Sequence, residues 1–233
     1  MSHDQQVTKI VIPKECKDIV IFVHGFGVRY DSRGLFKDLI GGLQKNWGYA
    51  MFDLYSIDEG AVYVSSIYEQ TKRLAEVVEN IKDSYEGATI HLIAHSKGCI
   101  ITSLLKPRVS GKVIFLAPPE NFGTELEEYF MRYPGSQKTK TELIIPRKDS
   151  TITHIPLTYF KESRKIDAQQ SMDTFAQNTT VYIIQATTDE VLGRTTYSEL
   201  KNNPNIQIIP ISGDHNFSGE KRVDLINTIM DIL

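Results

Sequence analysis

Apolar residues along this chain come in two patterns, short unbroken runs and longer stretches in which they recur every three or four positions. The unbroken runs are Val7–Ile12, Asp18–Val23, Tyr49–Leu54, Thr89–Ile93, Lys112–Leu116, Val181–Ala186 and Ile206–Ile209. Runs of this length, rich in β-branched residues and lacking polar alternation, predict strands buried on both faces. Between them, Leu35–Lys45 places Leu35, Phe36, Leu39, Ile40 and Leu43 at helical spacing, and Ser65–Tyr85 does the same with Ile67, Leu74, Val77, Val78 and Ile81. Each reads as an amphipathic helix. Cys99–Leu105, stopping before Pro107, is a shorter helix; Thr195–Lys201 is another, and Val223–Ile232 closes the chain as a helix. Strands alternating with helices in this way predict an α/β fold, with a mostly parallel central sheet flanked by helices.

One stretch breaks the rhythm. From about 120 to 175 the chain leaves the sheet, and within it Glu142–Ile145 and Thr151–Ile155 read as a hairpin joined through Pro146-Arg147-Lys148-Asp149-Ser150. With Tyr129, Phe130, Tyr133, Tyr159 and Phe160 around it, the segment reads as a lid inserted above the strand ends. These aromatics are expected to be core, and Lys138, Lys140, Arg147 and Lys148 to form a solvated face. No Gly/Ser/Pro-rich or charge-block linker divides residues 1–233, so a single domain is expected.

Composition narrows the classes of partner. A formal net charge of −3 over 233 residues gives no basic footprint for nucleic acid. No run of about 18 apolar residues predicts a membrane span, and Met1–Ile12 is too short in apolar residues for a secretory signal. Two cysteines, Cys16 and Cys99, are too few for a disulfide framework. The expectation is a cytoplasmic protein, monomer or homodimer, without partners in nucleic acid or membrane.

Candidate chemistry begins at Ala94-His95-Ser96-Lys97-Gly98, where the strand Thr89–Ile93 turns into the helix from Cys99. A serine on so sharp a strand-to-helix turn is held out of the sheet. The small residues Ala94 and Gly98 let the backbone pass itself closely, and the helix start offers free N–H groups to a developing anion. In open α/β sheets ligands sit at the carboxyl ends of the strands. His24-Gly25-Phe26-Gly27 and the loops after Ala186 and Ile209 fall on that same edge.

A serine hydroxyl needs a base to take its proton, and the base needs an oriented partner. Of the six histidines, His3 lies near the terminus, His91 within a strand and His154 in the lid. His95 points away from Ser96 by its position in the turn, and the His24 turn needs its backbone more than its ring. His215, in Ser212-Gly213-Asp214-His215-Asn216-Phe217, is free to turn toward Ser96 and is the candidate base. Asp189, first after the turn in Thr187-Thr188-Asp189-Glu190-Val191, is the candidate orienting acid, with Val191-Leu192 expected to resume packing. Glu190 is the runner-up, and Asp214 is disfavoured because adjacent side chains rarely meet head to head. The backbone N–H groups of Phe26 and Lys97 are the candidate oxyanion donors, glycines on each side of Phe26 letting the chain turn its amides inward. The Lys97 side chain either borders the pocket or reaches solvent.

These motifs resemble the α/β-hydrolase superfamily. His24–Gly27 resembles its oxyanion turn, Ala94–Gly98 its nucleophile elbow, Thr188–Val191 its acid loop and Gly213–His215 its histidine loop, in the chain order Ser…Asp…His. Within the superfamily the chain is most similar to small-lid carboxylesterases, including the feruloyl/cinnamoyl esterase group. It departs from them in Ala94 where glycine is usual, Lys97 for Gln or Met, Cys99 for glycine, and Tyr55–Ala61 in place of a Gly-His-Gly-x-Ser segment. The N-terminal hairpin is cut to one strand. The resemblance implies a serine hydrolase acting on a small-molecule ester or thioester, with no cofactor and no metal. Fold alone leaves open carbon–carbon hydrolysis, lyase chemistry, perhydrolysis or a non-catalytic binding module.

Overall fold

The computed structural model describes residues 8–58, 60–106, 109–123, 125–147 and 150–233. His3, Val7, Pro107 and Lys148, which figured in the readings above, lie outside them.

The seven unbroken apolar runs become one sheet. β1 (Thr8–Val11), β2 (Asp18–Val23), β3 (Gly48–Phe52), β6 (Thr89–His95), β7 (Val113–Leu116), β11 (Val181–Ala186) and β12 (Ile206–Ile211) lie in the order β1-β3-β2-β6-β7-β11-β12. Every neighbouring pair is parallel except β1 with β3. The central strands β2, β6 and β7 are buried almost throughout, which is why their sequences carry no alternation.

Helices cover both faces. On one lie α1 (Leu35–Gly42) and α7 (Lys221–Ile232), enclosing Phe22, Phe36, Ile93, Leu116, Ile184 and Phe217. On the other lie α2 (Ile67–Ser84) and α3 (Lys97–Ser103), enclosing Ile21, Leu92, Ile101 and Phe115. The start of α2 is fixed by a reciprocal cap: Ser66 Oγ accepts from the Glu69 amide at 3.2 Å, and the Glu69 carboxylate accepts from the Ser66 amide at 2.9 Å.

The helix expected over 195–201 is absent; the segment runs as irregular chain to 197 and then as turns. Its amides are spoken for by Glu120, whose carboxylate accepts from Thr196 N, Thr196 Oγ1 and Tyr197 N, each at 2.9 Å. Tyr197 itself takes a positive φ of 48° that an α-helix does not allow.

The insert is larger in design than a hairpin. β9 (Glu142–Pro146) and β10 (Ile152–Pro156) do pair antiparallel, but they sit inside a five-stranded sheet of order β4-β5-β10-β9-β8. β4 (Ser56–Asp58) and β5 (Ala61–Tyr63) come from the segment after β3, and β8 (Gln137–Lys138) from the insert. β5 joins β10 in parallel, Ala61 opposite Ile152. Helices α4 (Leu126–Met131) and α5 (Leu157–Ser163) complete the cap, whereas α6 (Ala168–Ala176) packs beside α3 on the main sheet, Phe175 meeting Phe115.

Candidate active site

Ser96 stands at the junction of β6 and α3 with φ 54° and ψ −126°, a backbone state that costs a non-glycine residue on the order of 1–3 kcal/mol. Two contacts hold it there. The Ser96 amide donates to Leu116 O on β7 at 2.8 Å, and α3 approaches β2 so closely that a Cβ on Gly98 would lie 2.3 Å from Val23 O. Glycine at 98 is therefore what allows the elbow. Gly25 is almost as confined, its Cβ position lying 3.2 Å from Ser96 Cβ.

The three side chains singled out from separate loops come together. His215 Nε2 is 2.9 Å from Ser96 Oγ, and His215 Nδ1 is 2.7 Å from Asp189 Oδ2. With Nδ1–H donating to the carboxylate, Nε2 keeps its lone pair for the serine hydroxyl. Asp189 Oδ1 accepts from the amides of Val191 at 2.9 Å and Leu192 at 2.7 Å. Val191-Leu192 thus grip the carboxylate with their backbones; Val191 is half exposed rather than packed. Burial works against the Asp189 charge, but the hydrogen bonds from His215, Leu192 and Val191 outweigh it and hold the carboxyl below its usual range. Glu190 accepts from the His215 amide at 3.0 Å, and Asp214 instead accepts from the amides of Asn216 and Ser218.

His24 is walled into the core. Its Nδ1 donates to Gly25 O at 2.8 Å and its Nε2 accepts from Leu54 N at 2.9 Å, so the ring ties the Gly25-Phe26-Gly27 turn to the end of β3. Burial, with the nearby Lys97 charge, lowers its pKa to about 3, matching a neutral ring with one donor and one acceptor. Gly27 carries φ 66°, and the turn runs beside Ser96 with Phe26 facing the cavity. Among the described residues no hydrogen bond engages the amides of Phe26 or Lys97.

The Lys97 side chain does not reach solvent. Its Nζ donates to Gln70 Oε1 and lies 5.1 Å from the centre of the Tyr55 ring, and burial lowers its pKa to about 7. His95 makes no hydrogen bond to Ser96 but holds His215 from behind: Nε2 donates to His215 O at 3.0 Å while Nδ1 accepts from Ser32 Oγ at 3.0 Å. Burial first, then the neighbouring His215 charge, lowers its pKa to about 3. Nothing in the local pattern at His95 reports a partner so far along the chain.

A cavity of about 450 Å³ opens above Ser96 and His215. Its walls include Phe26, Phe130 and Tyr159, with Phe26 stacked on Phe130 at 4.6 Å and tilted toward Tyr159 at 5.8 Å. Arg147, expected on a solvated face, instead enters this cavity and lies against Gly27.

A parallel sheet of this order, a serine on a strained elbow at the end of a central strand and a histidine after the last strand define an α/β hydrolase. The chain belongs to the family described as "Alpha/beta hydrolase of unknown function (DUF900)", whose model matches residues 1–202. Ser96 and Asp189 fall inside the matched stretch and His215 beyond it. Among curated proteins it is similar to "Probable lysophospholipase BODYGUARD 2" of Arabidopsis thaliana, 26% identical over 142 residues, which are 56% of this chain and 30% of the relative. A second, "Probable lysophospholipase BODYGUARD 1" of Arabidopsis thaliana, is 25% identical over 126 residues, 51% of this chain and 27% of the relative. The chain therefore aligns with less than a third of the length of either. Among solved structures, Est1E from Butyrivibrio proteoclasticus with ferulic acid bound superposes with a TM-score of 0.72 at 15% identity, covering 97% of this chain and 94% of that one. A lipase-esterase related protein from Clostridium acetobutylicum gives 0.66 at 19% identity, covering 98% and 99%. At such identities the likeness is one of fold. Among the described residues no helix is long and apolar enough to cross a membrane.

Proposed function

We propose that this chain is a serine hydrolase that cleaves small carboxylic esters or thioesters through an acyl-enzyme on Ser96. The observation that carries the reading is the unbroken hydrogen-bond chain from Asp189 through His215 to Ser96, 2.7 Å and 2.9 Å long in its two links. As Ser96 Oγ attacks the acyl carbon, its proton passes to His215 Nε2, and Asp189 stabilises the resulting imidazolium without taking the proton. The carbonyl oxygen becomes an oxyanion facing the amides of Phe26 and Lys97, whose freedom from other partners suits them to receive it. Collapse of the intermediate expels the alcohol or thiol, protonated by His215 Nε2–H. Water, deprotonated by the same nitrogen, then releases the acid and restores Ser96. The aromatic wall of Phe26, Phe130 and Tyr159 gives an apolar acyl or aromatic group a surface to lie on. The names of the similar proteins, lysophospholipase and lipase-esterase, belong to the same class of acyl-ester chemistry.

Assay of wild type and Ser96→Ala on p-nitrophenyl acetate and butyrate, with a fluorophosphonate label on the wild type, tests the reading. Hydrolysis lost by roughly a million-fold in Ser96→Ala and label on Ser96 are expected. Equal hydrolysis by both, or label elsewhere, overturns it.

A further inference from the structure

Resting on that reading, we propose that the substrate ester carries an anionic group, a carboxylate or phosphate, recognised by the Arg147 guanidinium together with the Tyr159 hydroxyl. Arg147 leaves the cap sheet at the end of β9, and its Nε donates to Thr153 Oγ1 at 3.1 Å. Among the described residues Thr153 is the guanidinium's one side-chain hydrogen-bond partner, and Arg147 lines the cavity. One Nη rests against the oxyanion turn, only 1.9 Å from where a Cβ on Gly27 would stand, and Cζ is 5.9 Å from the Phe26 ring centre. Ser96 Cβ lies 3.2 Å from where a Cβ on Gly25 would stand, so the guanidinium and the serine border the same short turn two residues apart.

The surroundings favour an anion. Arg33 and Arg147 bring positive charge to the cavity, the Lys97 ammonium being turned into the core, and no aspartate or glutamate lines it among the described residues. Arg33 sits at the rim in a run of positive φ, Ser32 at 48°, Arg33 at 56° and Gly34 at 88°, with Ser32 tied to His95. Nor does Arg147 form an ion pair with any described carboxylate. A guanidinium is charged at every relevant pH, and its fork matches two oxygens of one acid group.

Tyr159 supplies the second observation. It lines the same cavity, is fully buried, and its hydroxyl has no hydrogen-bond partner among the described residues. A buried donor without a partner costs about as much as a lost hydrogen bond, and an acid oxygen beside Arg147 would receive it.

The experiment compares matched pairs of esters: p-nitrophenyl hemiglutarate against p-nitrophenyl butyrate for an acid on the acyl side, and lysophosphatidate against monoacylglycerol for one on the alcohol side. Wild type is expected to prefer the anionic member of one pair by about 10- to 100-fold in kcat/KM. That ratio should collapse toward one in Arg147→Met, be partly kept in Arg147→Lys, and fall by about three- to tenfold in Tyr159→Phe. Affinity of Ser96→Ala for the intact esters, by calorimetry, gives the same comparison without turnover. No anionic preference in either measurement, or a ratio unmoved by Arg147→Met, overturns the inference. Anionic preference in binding with no hydrolysis by wild type supports it and instead defeats the catalytic reading.

Discussion

The carboxyl edge of the main sheet and the cap above it hold their functional groups by different means. At the edge, each group is fixed by hydrogen bonds from strand ends and the loops that follow them: Ser96 by Leu116 O, His215 by His95 and Glu190, Asp189 by two amides of its own loop. In the cap, the cavity wall is aromatic contact, Phe130 against Phe26 and near Phe160, with the Arg147 guanidinium held by Thr153. Hydrogen bonds fix direction as well as distance, and proton transfer needs both. Ring packing fixes shape and tolerates substitution, which is what selecting a substrate needs. On this view, damage at the edge lowers kcat, and damage in the cap changes which ester is taken.

With Ser96 and His215 left in place, the largest expected effect comes from Asp189→Asn, which keeps the shape but offers His215 the wrong hydrogen-bond partner. Turnover should fall about 10^3- to 10^4-fold with KM little changed, measured by steady-state kinetics on p-nitrophenyl butyrate. Next is Gly98→Ala at the elbow. The added methyl would meet two backbone oxygens, Val23 O at 2.3 Å and His24 O at 2.7 Å, neither of which can swing aside. A loss of about 3 kcal/mol or more in urea unfolding is expected, along with loss of activity. In the cap, Phe130→Ala removes a buried ring that packs on Phe26 and Phe160. Stability should drop by about 3 kcal/mol. KM should rise more than kcat falls, which separates cap from edge.

The last effect is electrostatic, shows as a change of stability with pH rather than of activity, and lies beneath the elbow. Lys97 has its pKa lowered to about 7 from 10.5 by burial, so between those values the unfolded chain binds the proton and the folded one does not. Stability therefore rises with pH across that window, and the penalty of a buried charge is greatest below about pH 7. Lys97→Met should flatten this slope, gaining on the wild type by an amount on the order of a few kcal/mol more at pH 6 than at pH 10. His24 and His95, both held near 3 by burial, add the same sign lower down: stability falls as pH drops below about 6.5, where only the unfolded chain protonates. Lys97→Met should keep the His95 part of that acid limb and weaken the His24 part, to which the Lys97 charge contributes, as thermal melts across pH would record.

The edge was legible in the sequence for the same reason that it is rigid. β2, β6, β7 and β11 are buried on most of their length, so their apolar runs stand out, and a strand end followed by Ser96, Asp189 or His215 places those residues on one edge without further information. The cap resisted because its sheet is assembled from distant pieces. β4 and β5 are three residues each, and the pairing of Ala61 with Ile152 leaves no periodic trace. Arg147 fails for a related reason, since a lysine and arginine cluster in a loop looks solvated whether or not a neighbouring turn receives it. The helix expected at 195–201 shows local pattern overridden by tertiary contact, a single carboxylate, Glu120, taking its amides.

The central claim is that His215 activates Ser96 for attack on an acyl carbon. Stopped-flow release of p-nitrophenol from p-nitrophenyl acetate, followed by mass measurement of the quenched protein, tests it most directly. The account predicts a burst matching the enzyme concentration and a 42-Da acetyl increment on the peptide bearing Ser96, both absent in Ser96→Ala and in His215→Ala. A burst that persists in Ser96→Ala, or an acetyl group carried by another residue, contradicts it.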